Sequence, residues 1–154
     1  MTIDRSGSAV WTGGLKDGRG TVSTESGALK DQPYAFASRF EGARGTNPEE
    51  LIGAAHAGCF SMALSKVLED AGLRPERIET RAVVGLAKTA EGFTIRSVRL
   101  TVEAKVPGAD AAAFERSANQ AKATCPVSRL LNAEITLEAR LVGATGASAG
   151  AGAG

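Results

Sequence analysis

Residues 46–72 carry one uninterrupted helix pattern whose centre is built almost wholly from Gly, Ala and Ser. Thr46 or Asn47 serves as the cap, Pro48 fits the first helical position, and Glu49 and Glu50 complement the positive end of the helix dipole. Gly72 supplies the left-handed residue that stops it. Such a helix spans about 36 Å at about 1.5 Å per residue, which is long for a chain of 154 residues. With so few large side chains it sits centrally, and its small residues let another backbone come close. Whatever else the chain forms has to be arranged around it.

The flanking segments read as strands and shorter helices. Strand signals lie at 9–11 and 21–24, with a third at 34–40 that sets Tyr34, Phe36 and Phe40 on one face and Arg39 on the other. After the long helix, Ile78, Thr80, Ala82, Val84 and Leu86 share one strand face. Val98, Leu100, Val102, Ala104 and Val106 share the next, an alternation expected of a sheet with one wet side. Glu91-Gly92 turns this hairpin. Asp110 caps a second helix with Phe114, Ala118, Ala121 and Cys125 at helical spacing. Pro126 disfavours helical geometry at Cys125, so that helix ends near Thr124 and a short one starts at Pro126. A last strand over 134–142 turns Ile135, Leu137, Ala139 and Leu141 inward. The expected fold class is α+β, with antiparallel sheets around a long central helix and a single domain over residues 1–142. Residues 143–154 have neither charge nor bulky apolar groups, so they cannot offset their ordering entropy and are expected to form a flexible tail.

Composition narrows the function. The 18 basic and 17 acidic residues leave no electrostatic footprint for nucleic acid or a membrane surface. Aromatic residues make up 5%, too few for a base-stacking platform. No signal-peptide pattern opens the sequence, and no unbroken apolar run approaches the roughly 20 residues that cross a bilayer. A cytoplasmic protein is expected. In a reducing compartment two cysteines are more often catalytic or regulatory than permanently bridged. With one histidine in the chain they make no four-ligand zinc set.

Chemistry therefore falls to sulfur. Cys125 opens the tetrapeptide Cys125-Pro-Val-Ser128 at the start of a helix, where free N–H groups favour a thiolate. Cys59 lies mid-helix among small apolar residues, which alone raise a thiol's pKa. Local physics thus makes Cys125 the more acidic thiol, and a reactive Cys59 requires a cation from elsewhere. Arg39 is the candidate, held by Glu49, with Glu50 as the possible substitute. Glu49 and Cys59 lie ten residues apart, about 15 Å along the helix axis, so the two cannot share a site on one helix. A Glu49 that serves the sulfur belongs to a second chain, its helix packed antiparallel across a two-fold axis on Ala54, Ala55, Ala57 and Gly58. His56, one turn before Cys59, reads more readily as an interface histidine than as a base.

The residues with the strongest pattern are Trp11, Gly20-Thr-Val-Ser-Thr-Glu-Ser-Gly27, Arg39-Phe40-Glu41, the stretch Thr46-Asn-Pro-Glu-Glu through Cys59-Phe-Ser-Met-Ala, and Cys125-Pro-Val-Ser128. Together they resemble the osmotically inducible OsmC branch of the OsmC/Ohr family, across residues 1–142. The resemblance implies an intertwined α+β homodimer that acts as a thiol peroxidase in oxidative and osmotic stress, prefers organic hydroperoxides to hydrogen peroxide, and uses no metal or prosthetic group. It also implies Cys59 as the attacking thiol, Cys125 as the resolving thiol in a Cys59–Cys125 disulfide, and Arg39 with Glu49 as the activating pair. A dithiol is the implied reductant, with lipoyl groups in that role in the Ohr branch. Gly58 stands where the family pattern has Ala. Two other classes stay open on the residues alone: a redox sensor that uses the same disulfide without turnover, and a binder of apolar ligands.

Overall fold

The computed structural model describes residues 1–143; of the stretch expected as a tail, residues 144–154 lie outside the described residues. Two compact units emerge, one over Met1–Leu51 and one from Ile52 onward.

The first unit is an antiparallel meander of β1 (Gly7–Thr12), β2 (Arg19–Thr24) and β3 (Gln32–Tyr34), with β2 in the middle. Gly20 of β2 stands in register with Trp11 on one side and Tyr34 on the other. A Cβ there would lie 2.5 Å from the Tyr34 ring and 2.6 Å from the Trp11 ring. The glycine is what lets the two rings meet, with centroids 5.3 Å apart.

The strand expected over 34–40 is a correction: β3 ends at Tyr34, and Phe36–Phe40 forms a helical turn, α1. Positions 36 and 40 share a face whether the period is 2 or 3.6, so the aromatic pattern cannot separate the two. The cap decides it. Ser38 Oγ accepts the Ala35 N–H at 2.9 Å and lies 2.9 Å from the Thr46 carbonyl. This satisfies a free donor of the turn and pins the following loop. The Phe36 and Phe40 rings then pair at 4.8 Å.

The long helix, α2 (Pro48–Asp70), begins within this unit and continues into the next. Asn47 Oδ1 accepts the Glu50 N–H at 2.8 Å, and Gly72 follows with φ +78, so both ends are as the residues dictate. Its apolarity exceeds the sequence expectation. No unbroken run spans it, yet its mean hydropathy of 1.4 makes it long and apolar enough to cross a membrane by length and composition. Alanine and glycine raise the average without forming a run. Phe60, Leu64 and Leu68, spaced one turn apart, are fully buried in the core of the second unit.

That core is closed by a sheet in the order β4 (Arg77–Thr89), β5 (Gly92–Lys105), β6 (Glu134–Leu141). Val98, Leu100, Val102, Ala104 and Val106 are buried along and just past β5, as their alternation requires. The β4–β5 hairpin is antiparallel, but β6 runs parallel to β5, so the sheet is mixed and not wholly antiparallel. The intervening α3 (Ala111–Thr124) and α4 (Pro126–Leu130) return the chain to the end where β5 began, as a parallel partner demands. Asp110 caps α3 by accepting the Ala113 N–H at 2.7 Å. Phe114, Ala118, Ala121 and Cys125 face the core.

Candidate active site

In the first unit α1 turns Arg39 toward the start of α2. Its Nη2 donates to Glu49 Oε1 at 2.7 Å, and its Nε donates to Oε1 at 3.1 Å and to Oε2 at 3.2 Å. This fork-to-carboxylate pairing fixes the guanidinium plane. Glu49 is buried while the Arg39 side chain keeps 36% of its surface exposed. The guanidinium also lies 5.2 Å over the Phe40 ring. Glu50 is otherwise engaged: its carboxylate accepts from Thr46 Oγ1 at 3.0 Å and Asn47 Nδ2 at 3.1 Å. Glu49 is therefore the residue that holds the arginine. Beside Arg39, a cleft of about 220 Å³ is lined by Trp11, Leu15, Tyr34, Ala35, Phe36 and Phe40.

In the second unit the two thiols meet. Both are free; Cys59 is half-buried and Cys125 fully buried. The Cys125 thiol and the Val127 N–H both lie near enough to the Cys59 sulfur to act on its ionisation. Burial pushes the Cys59 thiol up, the Val127 N–H pulls it down, and the Cys125 sulfur pushes it up again; the net direction is upward. None of these influences is a cation, which is the deficit the sequence identifies for this position.

The Cys125 side chain does not use the start of α4 in the way the sequence suggests. Cys125 occupies the N-cap position, but its side chain makes no capping hydrogen bond. Its side chain is fully buried in the core, and the Val127 N–H lies near the Cys59 sulfur, where it favours the thiolate. The proline break does supply a free donor, and the tertiary fold brings it near the other thiol.

Next to Cys59 an open groove of about 590 Å³ is lined by Met62, Ala63, Lys66, Val67, Asp70, Gln120, Thr124 and Pro126. Its floor is mainly apolar, and the Lys66–Asp70 pair, at 2.7 Å, closes one end with charge. His56 is wholly buried with Nε2 at 2.8 Å from Ser128 Oγ. Residue-by-residue reading does not find this contact, because it joins positions 72 residues apart. The only local signal is that each partner stands three residues from a cysteine.

The comparisons with known proteins agree with this picture. The model of the family described as OsmC-like protein matches residues 41–140. Peroxiredoxin OsmC of Escherichia coli (strain K12) is 57% identical over 141 residues, 92% of this chain and 99% of that protein. An organic hydroperoxide resistance protein of Xanthomonas axonopodis pv. citri is 34% identical over 99 residues, covering 62% of this chain and 68% of that one. Among solved structures, the organic hydroperoxide resistance protein OhrB of Bacillus subtilis superposes with a TM-score of 0.64 at 26% identity, over 86% of this chain and 96% of that one. An OsmC-like protein from Mycoplasma pneumoniae reaches a TM-score of 0.71 at 16% identity, over 92% and 99%, a likeness of fold alone. Two neighbouring free thiols, one long small-residue helix and this degree of identity lead to one assignment: the chain belongs to the OsmC-like protein family.

Proposed function

We propose that the chain reduces organic hydroperoxides to alcohols with Cys59 as the attacking thiol, Cys125 as the resolving thiol, and Arg39 with Glu49 as the activating pair. It is a thiol peroxidase, an oxidoreductase of stress defence, as its relation to peroxiredoxin OsmC and the hydroperoxide resistance proteins indicates. The observation that carries the residue assignment is that the two free thiols are near neighbours, with Cys125 acting directly on the ionisation of Cys59. In the cycle, the Cys59 thiolate attacks the terminal peroxide oxygen and the O–O bond breaks. The alkoxide leaves and takes a proton as alcohol, and Cys59 is left as a sulfenic acid. The Cys125 thiol then attacks that sulfur; a disulfide forms and water leaves. A dithiol, of which lipoyl groups are one source, reopens the bridge by two exchanges and is itself oxidised to a disulfide. The apolar groove beside Cys59 suits the organic part of the peroxide better than hydrogen peroxide.

The working form in this proposal is a cytoplasmic homodimer. Met62, on the apolar α2, is 77% exposed, and Ala54, Ala55 and Gly58 are exposed on the same helix. A face this apolar and this long fits a second copy of the same helix. Such packing sets the Arg39–Glu49 pair of one chain against Cys59 of the other and supplies the missing cation. The first test is dithiol-dependent consumption of cumene hydroperoxide by wild type and Cys59→Ser. Turnover by wild type that disappears in the variant supports the assignment. Equal activity moves the attack to Cys125, and no turnover by either favours a redox sensor or a ligand binder.

A further inference from the structure

The short α4 carries Val127, and Cys125 immediately precedes it, yet none of its own five residues is fully buried. Half-buried Val127 packs against the core, and the segment meets α2 at two points: beside the Cys59 sulfur, and through the Ser128 hydroxyl at 2.8 Å from His56 Nε2. His56 and Cys59 are three residues apart on one helix, so both points lie on one face.

His56 is costly as a structural filler. The ring is fully buried, and its Nδ1 has no hydrogen-bond partner among the described residues. A proton on Nδ1 would leave a buried donor unsatisfied, so the proton sits on Nε2 and is donated to Ser128 Oγ. Burial holds the imidazole below the usual histidine range, which keeps the ring neutral. An apolar side chain would occupy this interior without stranding a nitrogen. What it could not do is hold Ser128.

We infer that His56 is a positioning residue: through Ser128 it docks the 125–130 segment on α2, so that Cys125 meets the Cys59 sulfenic acid before a second peroxide does. The inference rests on the peroxidase reading above. Two reactions compete for that intermediate. In one, the Cys125 thiol attacks the sulfenic sulfur, giving the disulfide and water. In the other, a second hydroperoxide transfers its terminal oxygen to the sulfur, giving Cys59 sulfinic acid and one alcohol. Loosening α4 slows the first and leaves the second untouched.

The test is the partition between disulfide and sulfinic acid, read by mass spectrometry of the full chain after one exposure to graded cumene hydroperoxide. Each molecule that reaches the sulfenic acid makes this choice, and circular dichroism of each variant at the assay temperature confirms that the folded chain is the one making it. Loss of one hydrogen bond in Ser128→Ala or His56→Leu should raise the sulfinic share about fivefold to tenfold at a given dose. The double variant should be no worse than either single one, since both break the same bond. Ser128→Thr, which keeps a hydroxyl, should rescue the partition toward wild type. A wild-type partition in Ser128→Ala, alongside normal disulfide formation by wild type, overturns the positioning role and leaves the peroxidase reading intact. A wild-type chain that forms neither product overturns both.

Discussion

Cys59 is a thiol whose surroundings within its own unit work against ionisation. Burial acts first and raises it, and only the Val127 N–H opposes that. A raised pKa means that the thiolate, and with it the rate of alkylation, grows as pH climbs through the folded value. If Arg39 reaches Cys59 across an interface, Arg39→Ala should move the midpoint of Cys59 alkylation by iodoacetamide to higher pH than in wild type, with Glu49→Gln moving it the same way by less. An unchanged midpoint in both would remove the activating role. His56 gives a second expectation with the opposite sense of charge. Its folded pKa is depressed by burial, so above the usual value of about 6.5 both folded and unfolded states are neutral and the fold keeps its full stability. As pH falls through that value the unfolded state takes up a proton that the folded state refuses, and stability declines. Urea midpoints at about pH 7.5 and about pH 5.5 should therefore differ more for wild type than for His56→Leu.

The elements respond to small residues in two distinct ways. On α2, Gly53 faces the sheet, and a Cβ there would stand 3.1 Å from the Ala82 carbonyl oxygen. Gly58 is on the open side, with nothing within 4 Å of its Cβ position. Helix propensity favours alanine at both by about 1 kcal/mol, but within the chain only Gly58 has room for it, and the family pattern the sequence resembles carries Ala there on the face proposed to meet the second helix. Gly58→Ala should raise unfolding stability by about 0.5–1 kcal/mol, and Gly53→Val should lower it by about 1–3 kcal/mol through overpacking. Equilibrium urea denaturation of the two variants checks both signs. The elements were unevenly legible. The boundaries of α2, α3 and α4 follow from Pro48, Gly72, Asp110 and Pro126, each of which acts on its own backbone. α1 was not, because Phe36 and Phe40 satisfy helix and strand periods alike and a single serine hydroxyl breaks the tie. Nor was the parallel pairing of β6, which depends on where two helices return the chain.

For the whole molecule the decisive expectation is complementation. In a two-fold homodimer that pairs Arg39 of one chain with Cys59 of the other, Cys59→Ser and Arg39→Ala fail in complementary places. Unfolded and refolded together, the two inactive variants should form mixed dimers with one intact site. The mixture should then recover about a quarter of wild-type hydroperoxide turnover, given random pairing in a closed two-fold assembly. Recovery near zero, with mixed dimers verified by native mass spectrometry, would place the activating cation on the same chain as the sulfur or remove it from the mechanism.

What the sequence determined by itself is whatever depends on near neighbours along the chain. The caps and stops of the helices and the inward face of β5 were all readable from short spacings. Tertiary structure alone decided which groups meet across long separations. It gave Arg39 to Glu49 in preference to Glu50, because Glu50 turns back onto Thr46 and Asn47. It brought the Val127 N–H near the Cys59 sulfur, and it joined His56 to Ser128. Such contacts carry no local signature: a hydrogen bond between residues 72 apart is fixed by how α2 and α4 pack, and the packing is set by the core of the whole unit.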